Sequence, residues 1–532
     1  MKKDARRRYP SVVELMQDID HYLKGEPLKT RRDTLGYRAG KFVRRNRRVV
    51  GASALMLTLI AGMLAFFTLR LAKARDHANR ETAIATAVNR FLSDDLLARS
   101  DPFRSGAANE SFVEVVSQAS PRIDVQFRDE PVVAARLHQT LAKAFDNRSE
   151  FPRARQEYGR ANDLFKRGEG PLSEDAALVS LQRAAMEARS YERGSLALAK
   201  SILREAETSI SRISKPREDL AVWLLSTRGV IAIIGNDARS ANENFSGALQ
   251  RAEAISSFDE AARLRIKDTL GFSYIRLGDG AKAESLFREL VEAFSKAGGP
   301  DGLNVLRIRI KLSQALLIQG KYADAIKEAN LIYPGLVRKL GEDHELTLNL
   351  LGMRAASEGS LGMWDEAIRD DLTVYNLAVR KQGPVSFFSI AMLSDAALSQ
   401  CRAGRYLEGE RNARKAFQEA KQAFGPRAGI TGGCSYALAT CLIDVNRLDE
   451  ASELLRNIDA KAVAQLNGDS TVDASIALAQ GEIASKLWDY SLAQRYAQIA
   501  APAFERPNSE VSARQALARL RKAIERHLGV SR

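Results

Sequence analysis

The side chains able to do chemistry are few and scattered. His21, His77, His138, His344 and His527 stand without a carboxylate or cysteine at a spacing that would make a base, a relay or a metal site. Each reads as a surface or helix residue. Glu342-Asp343-His344-Glu345 has the residue types of metal ligands, but it falls between two helical segments, where acidic capping residues are expected. Asp94-Asp95 reads as helix-surface charge with no second carboxylate motif to complete an acid–base pair. Cys401, Cys434 and Cys441 lack metal-ligand spacing. On one helix the last two would lie about 10 Å apart along the axis, too far for a disulfide. All three read as small core residues. Gly168-Glu169-Gly170 reads as a loop between helices, and the chain has no Gly-rich loop before a strand, no V-A-I-K lysine, no H-R-D-x-x-x-x-N loop and no D-F-G. Nothing could therefore hold ATP and magnesium or position a hydroxyl for phosphoryl transfer. The expectation is a noncatalytic chain with no cofactor and no metal.

What positions these residues is a repeat. A small residue recurs every 42 positions at Ala199, Ala241, Ala283, Ala325, Ala367, Gly409, Ala451 and Ala493. Five residues before each stands Gly194, Asn236, Gly278, Gly320, Gly362, Gly404, Asn446 and, once out of series, Trp488. Gly and Asn end helices because the left-handed conformation costs them little. Three residues before each anchor comes Leu196, Ala238, Gly280, Tyr322, Trp364, Tyr406, Leu448 or Tyr490, often a large apolar side chain suited to a contact where a second helix starts. The unit is helix, tight turn, helix, and stacking such units buries the face that each alone leaves open. The fold class is all-α, and function is expected on a surface instead of in an enzyme pocket.

Two units carry a family resemblance. Leu270-Gly271, Tyr274, Gly278, Ala283, Phe287 and Leu290, and then Leu312-Ser313, Leu316, Gly320, Tyr322, Ala325, Ala329 and Ile332, resemble tetratricopeptide repeats. The ordinary period of that family is about 34 residues, so the length here resembles the longer variants found in kinesin light chains. The units centred on Ala367 and Gly409 depart from the pattern, with Arg354 and Ala396 at the leucine position. An earlier, irregular unit runs through Leu141, Ala142, Phe145 and Ala154, out of register by a short insertion near residues 167–171. The resemblance implies a solenoid over 131–507, with a capping helix in 508–532.

In that fold the first helix of each pair lines a concave face. The phase then places Trp223, Ser226, Val230, Arg265, Asp268, Phe272, Arg307, Ile310, Gln314 and Leu317 toward a groove for a protein or peptide. Packing between neighbouring repeats is the competing role for Val230, Phe272 and Leu317. Repeats of this family that clamp a terminal carboxylate use asparagine and lysine at these places, which Phe272 and Gln314 do not match.

Residues 49–69 read VVGASALMLTLIAGMLAFFTL, uncharged and long enough to cross a bilayer. Ala72-Lys73-Ala74 has the form of a cleavage site, yet the long leader and the length of the apolar run favour an uncleaved anchor. Nine Lys and Arg residues from Lys29 to Arg48 precede the span, against Arg70, Lys73, Arg75 and Arg80 after it. Positive residues stay in the cytoplasm, so the expected topology is single-pass in a bacterial inner membrane, with the N-terminus inside and the repeats periplasmic. Much of the net charge of +14 falls in the leader, where it faces lipid. The array lacks the basic stripe that nucleic-acid binding would require.

The leader, 1–48, holds Asp4-Ala5-Arg6-Arg7-Arg8-Tyr9-Pro10-Ser11, then a helix opened by Ser11-x-x-Glu14, with Val12, Leu15, Met16, Ile19 and Leu23 on one side and Gly25 at its end. Gly25-Glu26-Pro27-Leu28, Tyr37 and Lys41-Phe42-Val43-Arg44-Arg45 follow. This stretch resembles the last helix of the catalytic domain, and the linker, of bacterial membrane-anchored serine/threonine protein kinases. Phe91 to Leu97 and Ser100 to Phe103, within a juxtamembrane region 70–130, resemble the segment after the span in the same proteins. The resemblance implies that Arg8 pairs with a glutamate of an A-P-E motif, which this chain lacks. Two readings follow: a noncatalytic membrane sensor or scaffold, with a kinase partner or a second copy of itself beside it, or the C-terminal portion of a kinase whose catalytic part is missing, through truncation or a wrongly chosen start, or is encoded separately.

Overall fold

The computed structural model describes residues 9, 11–24, 26–28, 34–90, 112–467, 471–506 and 509–528. Arg8, Phe91 to Leu97 and Ser100 to Phe103 lie outside the described residues, as does Gly25. Every described element is a helix or a turn, and the chain divides into one unit up to Gln126 and another from Phe127 onward.

In the first unit, α1 (Val12–Leu23) starts where the Ser11 hydroxyl accepts the Glu14 backbone N–H at 3.2 Å. Val12, Leu15, Met16, Ile19 and Leu23 are exposed, and the Tyr9 hydroxyl donates to Asp18 at 3.1 Å. α2 (Leu35–Arg45) and α3 (Arg47–Arg90) follow, broken at Asn46, and α4 (Phe112–Gln126) closes the unit. One helical stretch among the described residues, Arg47–Lys73, is long and apolar enough to cross a membrane. Its Leu55, Met56, Leu59, Met63, Phe66 and Phe67 face outward.

The second unit is a solenoid of helix hairpins. The pairs are α5 (Pro131–Asp146) with α6 (Phe151–Glu169), α7 (Glu174–Arg189) with α8 (Ser195–Ser211), α9 (Glu218–Ile234) with α10 (Ala238–Ala254), α11 (Glu260–Arg276) with α12 (Gly280–Gly298), and α13 (Leu303–Ile318) with α14 (Tyr322–Leu340). They continue as α15 (Glu345–Leu361) with α16 (Trp364–Gln382), α17 (Phe387–Arg402) with α18 (Tyr406–Phe424), and α19 (Gly429–Asp444) with the shorter α20 (Leu448–Arg456) and α21 (Ala460–Asn467). α22 (Val472–Lys486) with α23 (Tyr490–Phe504) is the last pair. α24 (Val511–Leu528) covers it through Ala513, Ala516, Leu517, Leu520 and Ile524. α24 also touches α15, so the end of the chain folds back along the inner side of the later repeats.

The small-residue series sits where helices meet. Ala199, Ala241, Ala283, Ala325, Ala367, Ala451 and Ala493 are all buried. Gly409 breaks the alanine run for a local reason: a Cβ there would lie 2.2 Å from the Cys401 sulfur. The turn residues also behave as one class. Gly194, Asn236, Gly278, Gly320, Gly362, Gly404 and Asn446 take positive φ, and so does Trp488 at φ 63°, although for its side chain that conformation costs about 1–2 kcal/mol. Ser149, at φ 60°, makes the same turn in the irregular first hairpin, whose Leu141, Ala142, Phe145 and Ala154 are buried. A second glycine series, Gly299, Gly341, Gly383 and Gly425, ends the second helices at the same period and also has positive φ.

Three expectations are corrected. Cys401 and Cys441 are not merely small core residues; they form a disulfide, with Cα atoms 5.4 Å apart, joining α17 to α19, while Cys434 is free and buried. The pair is distant in sequence and adjacent in space because neighbouring first helices lie side by side. His138 has a carboxylate partner after all: it is fully buried, with its Nδ1 2.6 Å from Glu157, which the hairpin brings across from α6. Gly168 and Glu169 belong to the end of α6, with the chain turning at Gly170.

Ala325 packs among Phe287, Leu290, Ile308, Leu312 and Leu316. Ala325→Arg is therefore predicted to cost roughly 2–4 kcal/mol through overpacking and a buried charge. Circular dichroism melting of the full chain reads this as a lowered transition, and an unchanged melt would contradict the position of the helix contact.

Candidate binding groove

The first helices supply the inner side chains, and what each repeat places there decides whether the surface is filled or hollow. One position lies sixteen residues after the small residue of the first helix, facing it across the hairpin. Gly229 and Gly271 have no room for a Cβ because the rings of Phe245 and Phe287 occupy it, at 2.6 and 2.7 Å. Later repeats lack this plug, having Ala329, Asp371 and Ala413 at the ring's position. On the inner face the same change occurs: Trp223, Arg265 and Arg307 give way, one period on at each step, to Asn349, Ala391, Gly433 and Ser475.

The later repeats carry a hollow of about 550 Å³, formed by α15, α17, α19 and α22 with edges from α16, α21 and Glu510 just before α24. Its walls include Trp364, Phe387, Phe388, Leu398 and Tyr436, and its polar groups include Asp371, Asp395, Ser394, Arg402 and Glu510 beside three further serines, Ser360, Ser399 and Ser475. The volume and the mix of apolar wall with a few polar groups suit a peptide side chain or a short extended segment.

The electrostatics divide the hollow in two. On one side Arg402 lies in the field of Glu482, Asp444 and Glu510. On the other, Arg354 grips Asp370 through two hydrogen bonds of 2.6 and 3.0 Å and also reaches Glu358 at 3.8 Å, leaving Asp371 and Asp395 with each other. Burial, then Asp395, pushes Asp371 well above the usual carboxylate range. The protein atoms around Asp395 push it up to about 6, although solvent reaches it. Glu358 rises to about 7, first through burial and then through Asp370. Cys434, on the same wall, is raised by burial to about 12 and is no nucleophile at neutral pH.

The residues expected to line a groove sit on earlier first helices, and most are engaged within the solenoid. Trp223 stacks on Phe258 at 5.8 Å, and Val230 packs between two core clusters. The Ser226 hydroxyl is buried with no hydrogen-bond partner. Asp268 is held by Arg307 at 2.7 Å and by Lys311 at 2.6 Å, while Phe272 lies under the Lys311 ammonium. Ile310 is buried in the core, Gln314 and Leu317 are half-buried, and Arg265 is exposed. The structure thus gathers Asp268, Arg307 and Phe272 into one cluster and disperses the others. His344 caps α15, its Nδ1 accepting the Leu346 N–H at 3.2 Å, and among the described residues no metal-ligand cluster forms.

The sequence reading missed Asp371 and Asp395, although a signal for the first was present. The positions one or more periods from Asp371 are Leu203, Phe245, Phe287, Ala329, Ala413, Leu455 and Ala497, all apolar and buried. A lone carboxylate in that series marks a departure from hairpin packing.

An acid raised in the folded state holds its proton more tightly there than in the unfolded chain. Its stabilising contribution is present at low pH and is lost as pH rises from about 4, the ordinary carboxylate value, through about 6 for Asp395. Asp371→Asn with Asp395→Asn is accordingly predicted to raise the melting temperature more at pH 7.5 than at pH 4.5. A larger gain at pH 4.5 would contradict the assignment of uncompensated acids.

Residues 260–331 match the family model described as tetratricopeptide repeat. The fold is similar to that of a Rap protein complexed with competence and sporulation factor, with a TM-score of 0.51 and 11% identity over 73% of this chain and 99% of that one. It is also similar to the apo form of RapI, with a TM-score of 0.52 and 11% identity over 72% of this chain and 98% of that one. At such identity the likeness concerns the fold, which is a tetratricopeptide-like solenoid. No curated protein matches the chain.

Proposed function

We propose that this chain is a noncatalytic, membrane-anchored sensor or scaffold whose solenoid holds a peptide or a segment of another protein in the groove of its later repeats. The observation that carries the reading is the hollow itself: consecutive first helices present small side chains to one space, walled by aromatic rings and holding few polar groups. The similar Rap protein is complexed with competence and sporulation factor. A solenoid of the same kind here would meet its partner through the inner surface of its later repeats.

The anchoring part of the proposal rests on the apolar stretch Arg47–Lys73 and the basic residues before it, which would meet lipid on the cytoplasmic side. The Cys401–Cys441 disulfide supports a periplasmic solenoid, since such bonds persist mainly in oxidising compartments. A reporter enzyme that works only outside the cytoplasm, fused after Arg532, should be active in a bacterial host. Activity of a cytoplasm-only reporter at that place would reverse the orientation.

A second reading relates the leader to a kinase domain. The apolar side of α1 faces solvent within its unit, as the final helix of a catalytic lobe would if the rest of the lobe came from another polypeptide or from upstream sequence. Phosphate transfer from ATP by the purified chain, free of other kinases, would overturn the noncatalytic proposal.

The groove is tested by filling it. A Cβ at Gly433 meets open space, so Gly433→Trp can fold while its ring occupies the hollow. Peptides captured from a random library by the full-length chain in lipid nanodiscs should lose at least about tenfold in affinity, about 1.4 kcal/mol, for the Trp variant. Equal affinity would place any binding elsewhere.

A further inference from the structure

We infer that the hollow takes a positively charged group of the bound peptide, an ammonium or a guanidinium, between Asp371 of α16 and Asp395 of α17. The inference rests on the peptide-binding reading above and names the chemistry that the groove selects.

Asp371 is 3% exposed, lines the hollow, and has no hydrogen bond or ion pair among the described residues. Asp395 is exposed onto the same space and has no hydrogen bond or ion pair among the described residues. A buried carboxylate kept without a cation is expensive, because Asp371 gives up hydration with nothing to replace it, while Asp395 beside it stays open to solvent. Hairpin packing does not need Asp371, since its position is apolar in every other regular repeat. Of the neighbouring cations, Arg354 is paired with Asp370 and Glu358, and Arg402 lies in the field of Glu482, Asp444 and Glu510. A cation from outside would remove the cost, and rings such as Phe387 and Tyr436 on the walls can receive its flat or rounded apolar side.

The groups facing this pair are Asp370 on its own helix, Glu358 and Arg354 on α15, and Cys434 on α19, with Glu419 of α18 acting on the Cys434 side. Burial raises Asp371, and the surrounding protein atoms raise Asp395 to about 6, so protons compete with the ligand's cation and affinity should grow between pH 5 and pH 8.

The test pans a phage-displayed library of random dodecapeptides against the full-length chain in nanodiscs, then measures one enriched peptide, dye-labelled at its C-terminus, by fluorescence anisotropy. The expected peptides depend on one cationic group: either replacing a Lys or Arg by norleucine or acetylating the N-terminus weakens binding at least about tenfold, and whichever does so identifies the source. The D371N/D395N variant should lose a similar factor, and wild type should bind more weakly at pH 5 than at pH 8. The norleucine and acetyl arms use wild-type protein, so they stand even if the variant folds poorly. Enriched peptides that bind equally well without any cation, or equally well to a folded D371N/D395N variant, would overturn this inference while leaving the groove intact if Gly433→Trp still blocks them. Failure of wild type to enrich any peptide would overturn the peptide-binding reading, and this inference with it.

Discussion

The closeness of the two helices in each hairpin is the constraint on which the rest depends. A residue no larger than alanine must stand where the second helix crosses the first, and the chain must reverse in a left-handed turn five residues earlier. When both conditions recur at a fixed period, the hairpins stack in register and their first helices line a common inner face. Gly409 shows how tight the contact is: where the Cys401 sulfur enters the crossing, even the alanine methyl has to go. Trp488 shows the same from the other side, for the turn is made there by a residue that resists it.

Once the crossing is fixed, the size of the residue facing the first helix decides what the inner face can do. Phe245 and Phe287 push their rings into the space left by Gly229 and Gly271 and close the early repeats. Ala329, Asp371 and Ala413 do not, and of these Asp371 lines the hollow over the later repeats. The opening is bounded at its far end by α24, which turns back toward α15, and is braced by the Cys401–Cys441 bond between two of its wall helices. Asp371 joins both themes, because a carboxylate in an apolar series creates space and uncompensated charge at once. Natural cores seldom keep such a group unless something outside the fold uses it.

Much of this was legible from periodicity. The anchors, the turn glycines and asparagines, the hairpins and the all-helical solenoid follow from residue types repeating at one interval, since local sterics alone demand them. The phase named candidate groove residues on the earlier first helices. It did not identify which repeats stay open, because that depends on pairs such as Gly271 with Phe287, sixteen residues apart and on different helices. The Cys401–Cys441 bond and the His138–Glu157 contact escaped for the same reason: each joins residues on separate helices, and spacing along one helix cannot show them. Arg354, which looked like a loss of pattern, proves to be an exchange of a leucine for an ion pair with Asp370.

The central claim is that ligands meet the inner face of the later repeats. Hydrogen–deuterium exchange of the full-length chain, with and without a captured peptide, tests it directly. The account predicts new protection in Glu345–Leu361, Phe387–Arg402 and Gly429–Asp444, with the second helices and the earlier repeats unchanged. Protection confined to Glu218–Ile234, Glu260–Arg276 and Leu303–Ile318, or to the outer helices, would contradict it.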